Sequence, residues 1–157
     1  MKCLDTNAVI AVLNDRPAGA RGWLAQELAS GERIGISTVA LFELIYGYEK
    51  SAQPARNESA LRSLLTLDVE PLPFEFADAE HAGAIRAQLE RAGTPIGHYD
   101  LLIAAQARRH GATLVTTNQR EFARVPGLDA FYIALTKVAP LGRAEVFERD
   151  GEVFVRS

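Results

Sequence analysis

The pattern of hydrophobic and polar positions alternates along the chain between short apolar runs and longer segments in which apolar residues recur at helical spacing. Such spacing follows each apolar run, so strands and helices alternate in the predicted order. This alternation indicates right-handed crossovers and a mainly parallel sheet covered by helices on both faces, which is a three-layer α/β/α fold. The predicted strands are residues 1–4, "RIGIS", "LDVEPLP" and "ATLVTT".

The helical segments carry the signals expected at helix ends. Thr6-Asn7 offers an N-cap for a first helix that begins near Ala8, and Ser37 or Thr38 offers one for a later helix. The helix "TVALFELIYGYEK" is apolar nearly all round in its first half, so we expect it to be buried. The other predicted helices are "RPAGARGWLAQELASG", a helix with Pro54 in its first turn, "FADAEHAGAIRAQLERAG", "HYDLLIAAQARRHG" and "NQREF".

The end of the chain has a different pattern. The segment "AEVFERDGEVFVR" contains Asp150-Gly151, a strong two-residue hairpin turn. We predict a β-hairpin within an extension at 136–157, added antiparallel to the sheet of a main domain at 1–135. Folding about this turn sets three favourable pairs opposite each other: Phe147 with Phe154, Glu145 with Arg156, and Arg149 with Glu152.

Composition limits the classes of protein that fit. The 157 residues suit one domain, and a net charge of -3 excludes an extended basic surface, so local arginines must hold any nucleic acid. Cys3 is the single cysteine, which excludes an intramolecular disulfide and a thiolate metal cluster and fits a reducing cytoplasm. No apolar run approaches the roughly 20 residues of a membrane span. We therefore expect a soluble cytoplasmic protein with no membrane partner.

Four acidic or amide residues lie where chemistry is expected. Asp5 and Asn118 follow predicted strands, Glu43 interrupts an apolar helix, and Asp100 lies in the first turn of another. In an open parallel sheet these positions converge on one carboxyl edge. Gathered carboxylates raise one another's pKa unless a cation lies among them. Oxygen ligands without a Cys or His cluster indicate Mg²⁺ or Mn²⁺, and such an ion supports hydrolysis of a phosphodiester.

Each of these residues also has a purely structural explanation. Asp5 and Asp100 are favourable at helix N-termini, and Glu43 could lie on a solvated stripe or pair with an arginine. Asn118, with Glu121 three residues later, has the spacing of a capping box. Four arginines have the same ambiguity, because they suit phosphate contacts but equally suit solvated helix faces: Arg108, Arg109, Arg120 and Arg124.

Several segments together resemble a known family. They are "LDTN", "STVALFELIYGYEKS" and "AGTPIGHYDLLIAAQARRHGATLVTTNQREFARVPGL", and in this order they are similar to the PIN-domain ribonucleases of the VapC toxin type over about residues 1–131. The resemblance implies a PIN-like fold and a Mg²⁺-dependent endoribonuclease, with Mn²⁺ as a substitute ion. It also implies a toxin of a type II toxin–antitoxin system, with RNA as substrate, a cognate antitoxin protein and a homodimer.

The resemblance also assigns roles to residues. Asp5 and Asp100 match the two principal metal-binding aspartates, and Glu43 matches the third acid, acting as a ligand or as the base for water. Thr6 and Asn7 would orient Asp5. The fourth position leaves the number of metal ions open. Many relatives have an aspartate near Asn118, where this chain has the amide and keeps Glu121, so the choice between Asn118 and Glu121 as the fourth site residue stays open. We expect Glu121 to be catalytic and Asn118 to orient the metal ligands.

Two other functions remain open. An aspartyl-phosphate phosphatase also begins with an aspartate at a strand tip, but it needs a second carboxylate at position 7, which is Asn7, and a lysine near the later acids. The alternative is a catalytically degenerate PIN-fold module that binds RNA or protein. Asp5, Glu43 and Asp100 argue against the degenerate module, Asn118 argues for it, and metal titration separates it from the nuclease.

Overall fold

A five-stranded parallel sheet forms the centre of the molecule in a computed structural model that describes residues 1–133 and the backbone of 145–149 and 152–156. The strands are β1 (Lys2–Leu4), β2 (Ile34–Ser37), β3 (Val69–Leu72), β4 (Thr113–Thr116) and β5 (Ala130–Tyr132). Their order in the sheet is β3-β2-β1-β4-β5, and all four pairings are parallel. The predicted parallel sheet is therefore confirmed, with one further edge strand, β5, that was not predicted.

Helices connect successive strands of this sheet, as the alternating pattern predicted. No helix within residues 1–133 is long and apolar enough to cross a membrane. The seven helices of this part of the chain are α1 (Thr6–Asn14), α2 (Ala20–Ala29), α3 (Thr38–Glu49), α4 (Pro54–Thr66), α5 (Phe76–Arg91), α6 (His98–Arg109) and α7 (Gln119–Phe122).

The core lies on both faces of the central strands. Leu4 and Ile36 on β1 and β2 are fully buried, as are Leu114 and Val115 on β4. Strands covered on both faces have near-continuous apolar sequences, because neither face meets water. This arrangement leaves the ends of the strands as the place where polar side chains are accommodated.

Helix α3 corrects the expectation that its apolar first half is buried. Only Ala40 and Leu44 are buried on this helix, whereas Phe42, Ile45 and Tyr46 are 49%, 43% and 56% exposed. A helix packed on the outside of a sheet buries one stripe of its surface. Apolar composition alone does not show which of the helix's other faces is covered by a neighbouring element. The helix therefore carries an apolar outer surface.

A partly buried ion pair joins α5 to α6. Asp78 is fully buried and accepts hydrogen bonds from the Arg109 guanidinium, and it also accepts one of 2.7 Å from the backbone N–H of Glu75. Gln106 donates to the carbonyls of Leu72 (3.1 Å) and Pro73 (2.7 Å) beside this pair. These contacts fix α6 against the end of β3 and the start of α5.

The two C-terminal strands pair with each other. Strands β6 (Glu145–Arg149) and β7 (Glu152–Arg156) are antiparallel, and residues 145 and 156, 147 and 154, and 149 and 152 are opposite each other. They form a sheet of their own and not the expected addition to the parallel sheet. Asp150 and Gly151 of the predicted turn lie outside the described residues, so the hairpin stays a prediction.

Candidate active site

The carboxyl ends of β1, β2 and β4 bring the acidic residues together. Strands β2 and β4 lie on either side of β1, so the residues that follow these strands meet at one edge. Asp5 follows β1 directly, while Glu43 lies in α3 after β2 and Asp100 lies in the first turn of α6. The charges of Asp100 and Glu43 both raise the pKa of Asp5, which places the three acids in one electrostatic environment.

Asp5 caps a helix and has a raised pKa. Its side chain is 1% exposed and caps α1 by accepting a 2.6 Å hydrogen bond from the Ala8 N–H, and it accepts a second bond from the Thr116 hydroxyl. The predicted cap at Thr6-Asn7 and helix start near Ala8 were therefore wrong, since Asp5 is the N-cap and α1 begins at Thr6. Burial raises the pKa of Asp5 to about 7 despite both hydrogen bonds, and neighbouring acids add to the rise.

Asp100 has a similar but weaker shift. Burial raises its pKa to about 6, and the charges of Glu43 and Glu121 contribute. The Asn118 side-chain amide lies 3.5 Å from Asp100 Oδ2. A Cβ at position 97 would lie 3.2 Å from the same oxygen, so Gly97 leaves room for this carboxylate at the start of α6.

The predicted capping box of α7 is wrong. Asn118 is the N-cap residue but makes no side-chain capping bond, because its amide lies toward Asp100. Glu121 instead accepts a 3.0 Å hydrogen bond from the Gly97 N–H. Asn118 and Glu121 thus contact the start of α6 instead of forming the local capping box, and these contacts place both residues beside the acids.

Glu43 is held by a residue that we expected to orient Asp5. The Thr6 hydroxyl donates to Glu43, not to Asp5 as expected. Asn7 is exposed, and no hydrogen bond within residues 1–133 joins it to Asp5. The partner that does hold Asp5 is Thr116, which sequence reasoning missed. The only signal for it was a polar residue at the end of the apolar strand "TLVT".

The donor chemistry of this edge suits a hard divalent ion. Asp5, Glu43, Asp100 and Glu121 offer carboxylate oxygens, which Mg²⁺ and Mn²⁺ prefer. In the described part of the chain, no three His, Cys, Asp or Glu side chains are arranged so that they could hold one metal ion. Oxygens of Asp5 and Glu43 instead accept hydrogen bonds from protein groups. The oxygen donors fit the ion, and coordination by three of them requires side-chain rotation.

Most of the arginines expected at phosphates have partners within the protein. Arg109 pairs with Asp78 and Glu75, Arg108 donates to a backbone carbonyl at 3.1 Å, and Arg124 donates to another at 3.0 Å. Arg120 is exposed and has no such partner in residues 1–133. Of the four, Arg120 alone is thus left unengaged for phosphate contact.

A cavity of about 570 Å³ opens beside Glu43, between α1, α3 and α4. Its lining includes Glu43 together with Asn14, Arg56, Asn57 and the apolar Ile10. The volume is in the range of sites that enclose small ligands or parts of larger ones. Glu43 therefore lies between the edge of the sheet and a groove that has both polar and apolar walls.

The raised pKa values predict how stability depends on pH without divalent ions. Between the ordinary aspartate pKa of about 4 and the folded values, the folded protein binds more protons than the unfolded chain. The free energy of unfolding should therefore fall as pH rises from about 4 to about 7 and then level off. Urea titrations in EDTA at several pH values measure this fall, and Asp5→Asn should reduce it. Equal stability of the wild type at pH 5 and pH 8 would contradict the prediction.

Comparisons with known proteins identify relatives over most of the chain. The family model for the PIN domain matches residues 2–128. A Shigella flexneri protein called tRNA(fMet)-specific endonuclease VapC is 43% identical over 125 residues, which are 80% of this chain and 92% of that protein. Two solved complexes are also similar.

Both complexes contain DNA. The structure of VapBC2 from Rickettsia felis bound to a DNA fragment from their promoter has a chain with a TM-score of 0.77 and 37% identity, covering 83% of this chain and 97% of that one. For DNA-bound VapBC from Salmonella typhimurium the TM-score is 0.76 and the identity 39%, over 83% and 96% of the two chains. The C-terminal strands β6 and β7 lie beyond the residues that match the PIN-domain family.

Proposed function

Because the chain belongs to the PIN-domain family and, within it, to the VapC ribonucleases, we propose that it hydrolyses RNA phosphodiester bonds as the toxin of a toxin–antitoxin pair. The observation that carries this proposal is the meeting of Asp5, Glu43 and Asp100 at one sheet edge, where Asp5 and Asp100 have raised pKa values. Such a cluster is unfavourable by itself and is relieved by a cation.

The proposed cofactor is Mg²⁺, with Mn²⁺ as a substitute. Asp5, Asp100 and Glu43 would hold it, and Glu121 is the fourth acid of the site. When bound, a divalent ion offsets charge on the phosphate and makes water more acidic. Its binding would also remove the electrostatic penalty that the clustered carboxylates impose on the folded protein.

The chain's own residues orient these acids. The Ala8 N–H and the Thr116 hydroxyl hold Asp5 rigidly at the start of α1. Thr6 holds Glu43, which either joins the ligands or accepts a proton from the attacking water. Glu121 holds Gly97 at the turn that presents Asp100. Each acid is thereby positioned by a different segment of the fold.

The proposal extends to partners and organisation. The solved relatives are VapBC complexes, which supports a cognate antitoxin for this chain. We also propose a cytoplasmic location, a homodimer, a PIN domain at 1–135 and a C-terminal extension at 136–157. The matched residues 2–128 lie within the proposed PIN domain.

Metal removal tests the proposed activity. Purified protein should cleave an unstructured RNA in Mg²⁺ or Mn²⁺ and should lose cleavage in EDTA, with recovery when Mg²⁺ is restored. The ion should also raise the melting temperature, since a ligand of the folded state stabilises it. RNA binding without cleavage or thermal stabilisation in either metal would favour the degenerate binding module instead.

A further inference from the structure

A short turn after β3 connects the two helices that carry Glu43 and Asp100. We call residues 72–75 the β3–α5 turn, because they link the end of β3 to the start of α5. On one side, the Phe74 N–H donates a 3.1 Å hydrogen bond to the hydroxyl of Thr38, the first residue of α3. On the other side, a glutamine of α6 donates to two carbonyls of the turn. The β3–α5 turn therefore bridges α3 and α6.

The glutamine of α6, Gln106, is the unusual member of this bridge. Its side chain is fully buried, and its amide donates to the carbonyl of Leu72 at 3.1 Å and to that of Pro73 at 2.7 Å. The carbonyl oxygen of the same side chain has no hydrogen-bond donor within the described residues. A buried polar atom without a partner lowers stability, so packing alone does not explain a glutamine here. What the glutamine supplies is a pair of donors for one turn.

The β3–α5 turn is stiff. Pro71 precedes it and Pro73 lies within it, and each proline ring fixes its own backbone φ angle. Asp78 accepts hydrogen bonds from the Glu75 N–H, at 2.7 Å, and from the guanidinium of Arg109 on α6. A shift of α6 along the turn would break several of these contacts at once, so the turn holds the helix in one position.

The position of α6 determines where Asp100 lies. Gln106 follows Asp100 by six residues on this helix, which is about 9 Å along the helix axis. A helix is rigid over this length, so a displacement at Gln106 also displaces Asp100. The same holds for α3, where Glu43 follows Thr38 by five residues. The two contacts of the turn therefore act on the separation between Glu43 and Asp100.

We propose that Gln106 is a positioning residue, which acts through the β3–α5 turn to hold Asp100 at the distance from Glu43 that suits a shared divalent ion. This inference rests on the proposed metal-dependent function, because it concerns the ligands of that ion. Binding groups must be held within about 0.5 Å of their productive geometry, so a small displacement of α6 is enough to weaken the site. Gln106 donates to backbone carbonyls and acts on the ion only through Asp100.

A purely structural role for Gln106 makes a different prediction. Buried carbonyls need donors, and the end of an outer strand such as β3 takes them from outside the sheet. If Gln106 served stability alone, its replacement would lower the melting temperature, but the folded protein would bind metal ions normally. Ion affinity measured well below the melting temperature therefore separates the two roles.

Direct binding of Mn²⁺ by the whole chain tests the proposal. Gln106→Met keeps the length of the side chain and removes both donors. Its Kd for Mn²⁺ is measured from the EPR signal of free Mn²⁺, at a temperature where circular dichroism shows a folded protein. This Kd should rise about 5- to 10-fold, below the roughly 10- to 100-fold effects of groups that bond a metal ligand directly. An unchanged Kd would overturn the positioning role.

Val69→Ala is the matched control for lost stability. Val69 is 4% exposed, begins β3 at the end of the strand away from the acids, and lies outside the β3–α5 turn. The alanine should lower the melting temperature, because it removes buried methyl groups, and it should leave the Kd for Mn²⁺ unchanged. An equal rise of the Kd in Val69→Ala and Gln106→Met would assign the effect to stability and overturn the proposal.

Thr38→Val tests the other side of the turn, and it does so even if Gln106→Met does not fold. Valine keeps the shape of the side chain and removes the acceptor for the Phe74 N–H. The Kd for Mn²⁺ should again rise. In the double variant the two effects should be less than multiplicative, since both act through the same turn. A double variant whose Kd rises by the full product of the two single effects would contradict the bridge.

The wild type separates failure of this inference from failure of the proposed function. If the wild type binds Mn²⁺ and cleaves RNA while Gln106→Met and Thr38→Val have wild-type Kd values, positioning through the turn is wrong and the ribonuclease function stands. If the wild type neither binds Mn²⁺ nor cleaves RNA, the proposed function itself fails. We expect binding and cleavage by the wild type, with weaker Mn²⁺ binding in both turn variants.

Discussion

Asp5→Asn and Asp100→Asn are each expected to lower the rate of RNA cleavage at least about 10³-fold while the protein stays folded. A catalytic metal supplies several kcal/mol of transition-state stabilisation, and each factor of ten corresponds to about 1.4 kcal/mol. Replacing one carboxylate with an amide weakens the proposed ion site but keeps the side-chain volume. Initial rates on an unstructured RNA at saturating Mg²⁺ measure the loss.

Asp68→Asn is the matched control for this loss, because Asp68 is exposed and lies outside the acidic cluster. It should cleave at the wild-type rate, which shows that the loss is specific to the cluster. The loss of cleavage in site variants purified in the same way excludes a contaminating nuclease. Asp5→Asn should also unfold at higher urea than the wild type at pH 8 in EDTA, since it removes a carboxylate whose pKa burial raises. Cleavage above about a tenth of the wild-type rate in either site variant would refute its assignment.

Arg109→Met is expected to lower the free energy of unfolding by about 2–3 kcal/mol, less than the roughly 3–5 kcal/mol typical of a fully buried ion pair, because the Arg109 side chain is 21% exposed. Burial by itself would raise the pKa of Asp78, but hydrogen bonds from Arg109 and the Glu75 N–H, together with the charge of Arg109, outweigh it, so that this pKa lies below its usual value. Without Arg109, the fully buried carboxylate has lost its cation. Urea denaturation at pH 7 measures the change.

Two variants make this result specific. Arg108→Met removes a neighbouring arginine that donates only to an exposed carbonyl and the His81 ring, so it should cost much less. Combining Asp78→Asn with Arg109→Met should recover part of the loss, because a buried amide needs no counter-charge. A loss below about 1 kcal/mol in Arg109→Met, with weaker RNA binding, would instead restore Arg109 as a phosphate contact.

The same ion pair has an opposite pH dependence to that of the acidic cluster. A carboxylate with a lowered pKa stabilises the fold above the ordinary value of about 4, and this contribution is lost as pH falls through the folded pKa. Asp5 and Asp100 act between about 4 and 7. The two effects therefore occupy different pH ranges and can be measured separately.

Local patterns were sufficient to predict most of the fold. Apolar runs, helical spacing and the signals at helix ends all depend on residues a few positions apart, so β1 to β4 and the helices could be inferred from the sequence. The convergence of Asp5, Glu43 and Asp100 could be anticipated too, because parallel strands place the residues that follow them at a common edge. The short edge strand β5 was not predicted, although it lies within the apolar run "AFYIAL".

Tertiary structure alone decided which side chains meet. Thr116 bonds Asp5 across 111 positions of sequence, and Arg109 reaches Asp78 across 31. Asn118 and Glu121 had the spacing of a capping box but bond the start of α6 instead, since those partners are closer in the folded chain. Hydrogen-bond partners and burial depend on distances between segments, which the order of residues does not contain. The exposed apolar side chains of α3 belong to this second class, because apolar composition does not reveal which face of the helix is left without a neighbour.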